Sequence, residues 1–128
     1  MSKESIEAVV AAYYANMAMM NPERWVDLFA EDAVSYDPVG HPATHIHEGY
    51  QAFFQRMRAT FEQLEATTEH ISVAGNEAAV KWTMQGVSIQ GTSVTFEGIT
   101  IFEMNEVGKI QTTRAYWNPE ALMAQIRG

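Results

Sequence analysis

The sequence contains no cysteine, which removes disulfides, thiolate nucleophiles and cysteine-ligated zinc from consideration. Basic residues are scarce, with eight Lys and Arg against sixteen Asp and Glu and a net charge of −8. Such a surface repels phosphate backbones and anionic lipid headgroups, so neither nucleic acid nor a membrane is an expected partner. Long hydrophobic runs are also missing. No stretch free of charged residues reaches the roughly 18 apolar residues that span a bilayer. The first residues, MSKESIEAVV, have no apolar leader core or small-residue cleavage site, and a cytoplasmic location is the expectation. Proline occurs four times, and Pro22, Pro38 and Pro119 each stand at an element boundary.

What is present is enough apolar material for one core: 47% of 128 residues, a single-domain length, so residues 1–128 are read as one domain. Ile6, Val9, Val10, Tyr13, Met17 and Met20 recur at spacings of three and four and predict a long amphipathic first helix ending near Asn21. Asn21-Pro22-Glu23 reads as an N-cap, a first-turn proline and an acidic first turn. It opens a short helix with Trp25, Leu28 and Phe29 inward and a break at Glu31-Asp32. A strand over Ala33–Asp37 is stopped by Pro38 and Gly40. A loop through His41, His45 and His47 leads to a third helix over Tyr50–Leu64.

Beyond that helix the period changes to two. Val80, Trp82 and Met84 alternate with polar neighbours, and Phe96, Gly98, Thr100 and Phe102 alternate with Glu97, Ile99, Ile101 and Glu103. Turns fall at Gly75-Asn76, Gln90-Gly91 and Asn105 to Gly108, and a last strand over Lys109–Trp117 runs into Asn118-Pro119-Glu120, the start of a terminal helix. The order predicts an α+β fold with helices on one face of a bent sheet. Ile99 and Ile101 point to the other face, and pairing of two copies through it is expected.

The segments VVAAYYANM, LFAEDAVSYDPVG, GNEAAVKW and IFEMNEVGKIQTTRAYW together resemble the ketosteroid isomerases, within the fold group of nuclear transport factor 2 and the SnoaL-type polyketide cyclases. The resemblance covers most of the chain in order, without a gap from Tyr13 to Gly40. It implies a conical fold: three N-terminal helices packed on a strongly curved, mostly antiparallel sheet, a short C-terminal helix, and a deep pocket open at one end. It also implies a cofactor-independent reaction with Asp37 as general base and Tyr13 as oxyanion donor, and it places Trp117 in an aromatic pocket wall. Where those isomerases carry an aspartic acid as second donor, this sequence has Thr100; Met57 stands where some carry another tyrosine.

Each of these residues also has a plainer reading. Asp37 could simply start an Asp-Pro turn, Tyr13 could be a core tyrosine with Tyr14 as its alternative, and Thr100 could be an ordinary strand residue. Phe54, Trp82, Met84, Phe96, Phe102 and Ala115, with Met57 and Trp117, form the expected lining for a flat hydrophobic ligand, although apolar residues at these periods are core first. His41, His45 and His47 invite a zinc reading, but such histidines are also found on ordinary loops and at pocket mouths, and no metal is assigned. His70 is expected to be structural, and Arg114 to pair with a carboxylate on the face opposite Trp117. Three functions stay open: a steroid delta-isomerase-like enzyme; a cyclase, dehydratase or epoxide hydrolase acting on a polyketide or terpenoid in the same pocket; and a ligand-binding module without catalysis.

Overall fold

A computed structural model describes residues 1–128. Helix α1 (Lys3–Ala18) begins where the Ser2 hydroxyl accepts the Ser5 amide; α2 (Pro22–Val26) and α4 (Pro119–Arg127) begin at Asn21 and Asn118, whose side-chain oxygens accept first-turn amides. Both asparagine caps are followed by proline, which loses no hydrogen bond at that position. Between them lie β1 (Phe29–Tyr36), β2 (Thr44–His45), α3 (Ile46–Thr60), β3 (Phe61–Ala74), β4 (Glu77–Ser88), β5 (Ser93–Met104) and β6 (Ile110–Tyr116). No helix is long and apolar enough to cross a membrane.

The strands form one sheet in the order β2-β1-β6-β5-β4-β3. Every neighbouring pair is antiparallel except β1 and β6, which run parallel. Register shifts interrupt β3–β4 at Phe61/Gln63 and Thr68/His70, and β5–β6 at Glu103/Met104. Extra residues of this kind bend a strand and raise its twist, which curves the sheet. Helix α1 packs against β3 and β4, α3 against β1, and α4 against β5, as expected for helices gathered on one face. A clasp holds α4 down: Gln125 accepts from the Thr95 amide at 2.9 Å and donates to the Thr95 carbonyl at 2.7 Å.

Three boundaries differ from the expectation. Helix α3 starts at Ile46 rather than Tyr50 and ends at Thr60, so Phe61 and Leu64 belong to β3; Phe61 is extended (φ −119°, ψ 134°) and pairs with Ser88. Phe61 and Leu64 still face inward, three apart across an irregular pairing, which imitates helical spacing. Strand β1 starts at Phe29, and Glu31-Asp32 is not a break but the exposed part of a strand whose pairing with β6 is irregular between Phe29 and Val34. Strand β3 is mostly exposed at the sheet edge, so its apolar alternation is weak.

Ion pairs line the outer face of the sheet. Arg114 meets Glu77 at 3.2 Å and Glu103 at 3.8 Å, and Lys81 meets Glu69 and Glu97. Ile99 on this face is exposed and Ile101 half-buried. The His70 ring is hydrogen-bonded to Ser72 at 2.9 Å within β3.

The β1–β6 pairing positions the site. Ser35 and Thr113 are register partners, both buried, and the Thr113 hydroxyl donates to Ser35 Oγ at 2.7 Å. Past the strand end the Val39 amide donates to the Ala115 carbonyl at 2.8 Å. Thr113→Val removes the donor without changing shape and is expected to cost about 1–2 kcal/mol in denaturant unfolding. The double variant with Ser35→Ala should recover part of that loss; wild-type stability for the single change would mean that the pair does not hold the register.

Candidate active site

The curved sheet and the helices enclose a cavity of about 520 Å³, mouth included, with 15 lining residues of which 13 are hydrophobic or aromatic. The two that are not are Asp37 and Thr100. Trp82, Met84, Phe96, Ala115 and Trp117 come from β4, β5 and the β6 end, Met57 from α3 and Tyr13 from α1, so most of the expected lining faces one space. Phe54 and Phe102 do not line it. Both have no exposed surface: Phe54 packs edge-on against Trp25, and Phe102 lies behind Tyr13 at 4.9 Å. Phe53 takes the place expected for Phe54, since the turn of α3 carries residue 53 toward the cavity and 54 into the core. Leu122 of α4 closes another part of the wall. Adjacent phenylalanines cannot be assigned by spacing alone, and nothing local marks Leu122.

Asp37 directly follows β1 and Trp117 directly follows β6, so the parallel pair delivers the two side chains to the same end of the sheet. The Trp117 indole N–H donates to Asp37 Oδ1 at 2.6 Å. Desolvation raises the Asp37 pKa above the ordinary carboxylate value, and the Trp117 hydrogen bond opposes the rise. By surface area Asp37 is exposed. It borders protein-lined cavities, whose surrounding atoms solvate charge poorly. An apolar ligand filling them would strengthen the shift.

Tyr13 shares the cavity with Asp37. Its pKa is raised well above the ordinary value by burial first, then by the Asp37 and Tyr14 charges, so the phenol stays protonated and able to donate. Tyr14 stands edge-on to Tyr13 at 4.8 Å, with a buried hydroxyl that makes no hydrogen bond of full geometry. Burial raises its pKa too, and the nearby Thr100 hydroxyl eases the rise. Thr100 is buried and its Oγ1 accepts from the Trp82 indole at 2.9 Å, leaving one hydroxyl proton to give.

Gly98 allows the two tryptophan walls to close. A Cβ there would lie 2.5 Å from the Trp82 ring, 2.7 Å from the Tyr116 carbonyl and 2.8 Å from Trp117 Cβ. The histidines do not converge: the His47 ring is hydrogen-bonded to the Phe29 carbonyl at 3.2 Å, His45 is the N-cap residue of α3 without a side-chain cap bond, and no three His, Asp or Glu side chains form a metal-binding group.

Because the indole favours the charged carboxylate, Trp117→Phe is expected to raise the Asp37 pKa further. A carboxyl-carbon NMR titration of both proteins reads this directly. An unchanged or lowered Asp37 midpoint in the variant would mean that the bond carries no electrostatic weight.

The sequence profile described as SnoaL-like domain matches residues 10–112. Among solved structures the chain is similar to SalBIII, described as an epoxide hydrolase/cyclase-like enzyme in pyran ring formation in the polyether salinomycin. The TM-score is 0.80 at 22% identity, covering 91% of this chain and 93% of that one. It is also similar to TerC co-crystallised with polyporic acid, with a TM-score of 0.82 at 15% identity over 97% of this chain and 99% of that one. The profile spans both the helix carrying Tyr13 and the strand end carrying Asp37, and the chain belongs to the SnoaL-like domain family.

Proposed function

We propose that the protein is a cofactor-independent acid–base enzyme that moves a double bond in a small, flat hydrophobic ketone by intramolecular proton transfer, a steroid delta-isomerase-like reaction. One observation carries this reading: Asp37 is the only carboxylate in a wall that is apolar apart from it and Thr100, and it shares that wall with a phenol that stays protonated. The Asp37 carboxylate removes a proton from the carbon next to the ketone. Oδ1 stays on the Trp117 indole while the other oxygen carries the proton. Negative charge develops on the ketone oxygen, where the Tyr13 hydroxyl donates to it. Asp37 then returns the proton two carbons along the conjugated system, and the enone leaves with the carboxylate restored. Thr100 adds a weaker donor than a carboxylic acid.

Thr100 also favours a second reading, because it leaves Asp37 as the only acid–base carboxylate in the lining. Together with the likeness to SalBIII, it fits a cyclase or epoxide hydrolase in which Asp37 deprotonates an attacking hydroxyl or water as the epoxide C–O bond breaks, and the ring oxygen takes a proton from the Tyr13 phenol, which solvent restores.

Incubation with a Δ5-3-ketosteroid, followed by absorbance of the conjugated enone, separates the two. Turnover is expected, with Asp37→Asn lowering it by about 10²–10⁴-fold, the usual contribution of a general base. Turnover should rise with pH through the raised Asp37 pKa, since only the charged carboxylate accepts a proton, and Thr100→Asp should increase it. Absence of turnover in the wild type and in Thr100→Asp would remove the isomerase reading.

A further inference from the structure

The cavity does not end at Asp37. A second lobe of about 420 Å³, mouth included, borders Asp37 as well, and the two lobes share Tyr13, Asp37 and Phe53. The lobes differ in chemistry. The first is almost wholly apolar; the second has Ser35, Thr44, Tyr50 and Arg56 in its wall, and only half of its ten lining residues are hydrophobic.

Its polar groups are mainly donors. Arg56 of α3 takes part in none of the ion pairs of this acidic chain, although acidic residues outnumber basic ones two to one. Trp25 in the same wall is 3% exposed, and its indole N–H is buried without an acceptor. Ser35 Oγ already accepts from Thr113, so its own proton is free to donate. The acceptor-only side chain in the wall, Asp37, has Oδ1 committed to Trp117. A guanidinium and neutral donors gathered around one space, with Asp37 the only anion in the wall and one of its oxygens already held by Trp117, match the chemistry of a carboxylate bound at the Arg56 end. Gly49 keeps the lobe narrow at its base: a Cβ there would sit 2.8 Å from Thr44 Cγ2, so α3 and β2 approach where a side chain would hold them apart.

We propose that this second lobe is a subsite for a carboxylate at the far end of an elongated ligand, with Arg56 as its recognition residue. The ligand's flat apolar part lies in the first lobe and its chain passes Asp37, Tyr13 and Phe53. The proposal rests on the reading of the first lobe as a binding pocket and adds to the class of substrate: a flat hydrophobic ketone that also bears a carboxylate at its far end. Asp37 then stands beside the middle of the ligand, and the carboxylate at Arg56 fixes which carbon it faces.

The test uses the full chain and two probes, 2-naphthol and the same naphthol bearing a propionic acid side chain, titrated against the fluorescence of the pocket tryptophans. Wild-type protein is expected to bind the acid more tightly than the neutral probe. Arg56→Gln should weaken the acid by about five- to tenfold, as for a charge-assisted contact partly open to water, and leave the neutral probe within about twofold. Raising the salt should erode the preference in the wild type and not in Arg56→Gln; Arg56→Lys should keep part of it. Arg56 is exposed on its helix, so unchanged thermal unfolding of the variants is expected and excludes a folding defect. Equal binding of both probes to wild type and Arg56→Gln would overturn the carboxylate subsite and leave the first-lobe pocket standing. Failure of both probes to bind the wild type would overturn the pocket reading and the subsite with it.

Discussion

A carboxylate in an apolar wall keeps a useful proton affinity only when its one strong partner is neutral. The Trp117 indole meets that condition. It donates to Asp37 at 2.6 Å and favours the charged form, but it does not carry the full positive charge that would pin the carboxylate well below its ordinary pKa. An Arg or Lys in its place would make Asp37 a stable anion and a poor base. The rest of the architecture supports this contact. The only parallel strand pair in the sheet runs out one residue before these two side chains, and the buried Ser35–Thr113 bond holds that pair in register just below them. The position of Asp37 is therefore a property of the sheet rather than of the loop that follows it.

The same logic separates the roles of the two lobes. Charge on the protein side is kept away from the first, where only Asp37 and Thr100 interrupt the apolar lining. The cation sits in the second, at the edge, on the exposed face of α3. A guanidinium beside Asp37 would depress it; at the far end of the proposed ligand it would add attraction without that effect. Tyr13 and Phe53, common to both lobes, keep the passage between them aromatic.

Much of this was legible in the sequence where the signal is local. Asn21-Pro22 and Asn118-Pro119 start helices as written, the period-two runs become β4 and β5, and Asp37, Tyr13 and Trp117 meet around one cavity. The failures share a physical cause. Phe61 and Leu64 keep helical spacing in an irregular strand, and the edge strand β3 shows little alternation because water covers most of it. Whether Phe53 or Phe54 faces the cavity depends on a helix start that no side-chain cap announces, since His45 makes no cap bond. Arg56 could not be seen as a site residue at all. Its place in the second lobe comes from α3 packing against β1, which sets Arg56 in one wall with Ser35 and Asp37, a contact that appears only in three dimensions.

Gly98 bears on how such a pocket can diversify. With Trp82, Trp117 and the Tyr116 carbonyl all closer to its missing side chain than any real Cβ contact allows, the aromatic corner is cast as one piece. New shapes must be cut elsewhere in the lining, at Met57, Met84 and Leu122, whose flexible side chains tolerate repacking. Related chains with other ligands are then expected to share a rigid indole corner and to differ in the rest of the wall, and a redesign of this cavity should begin at its methionines.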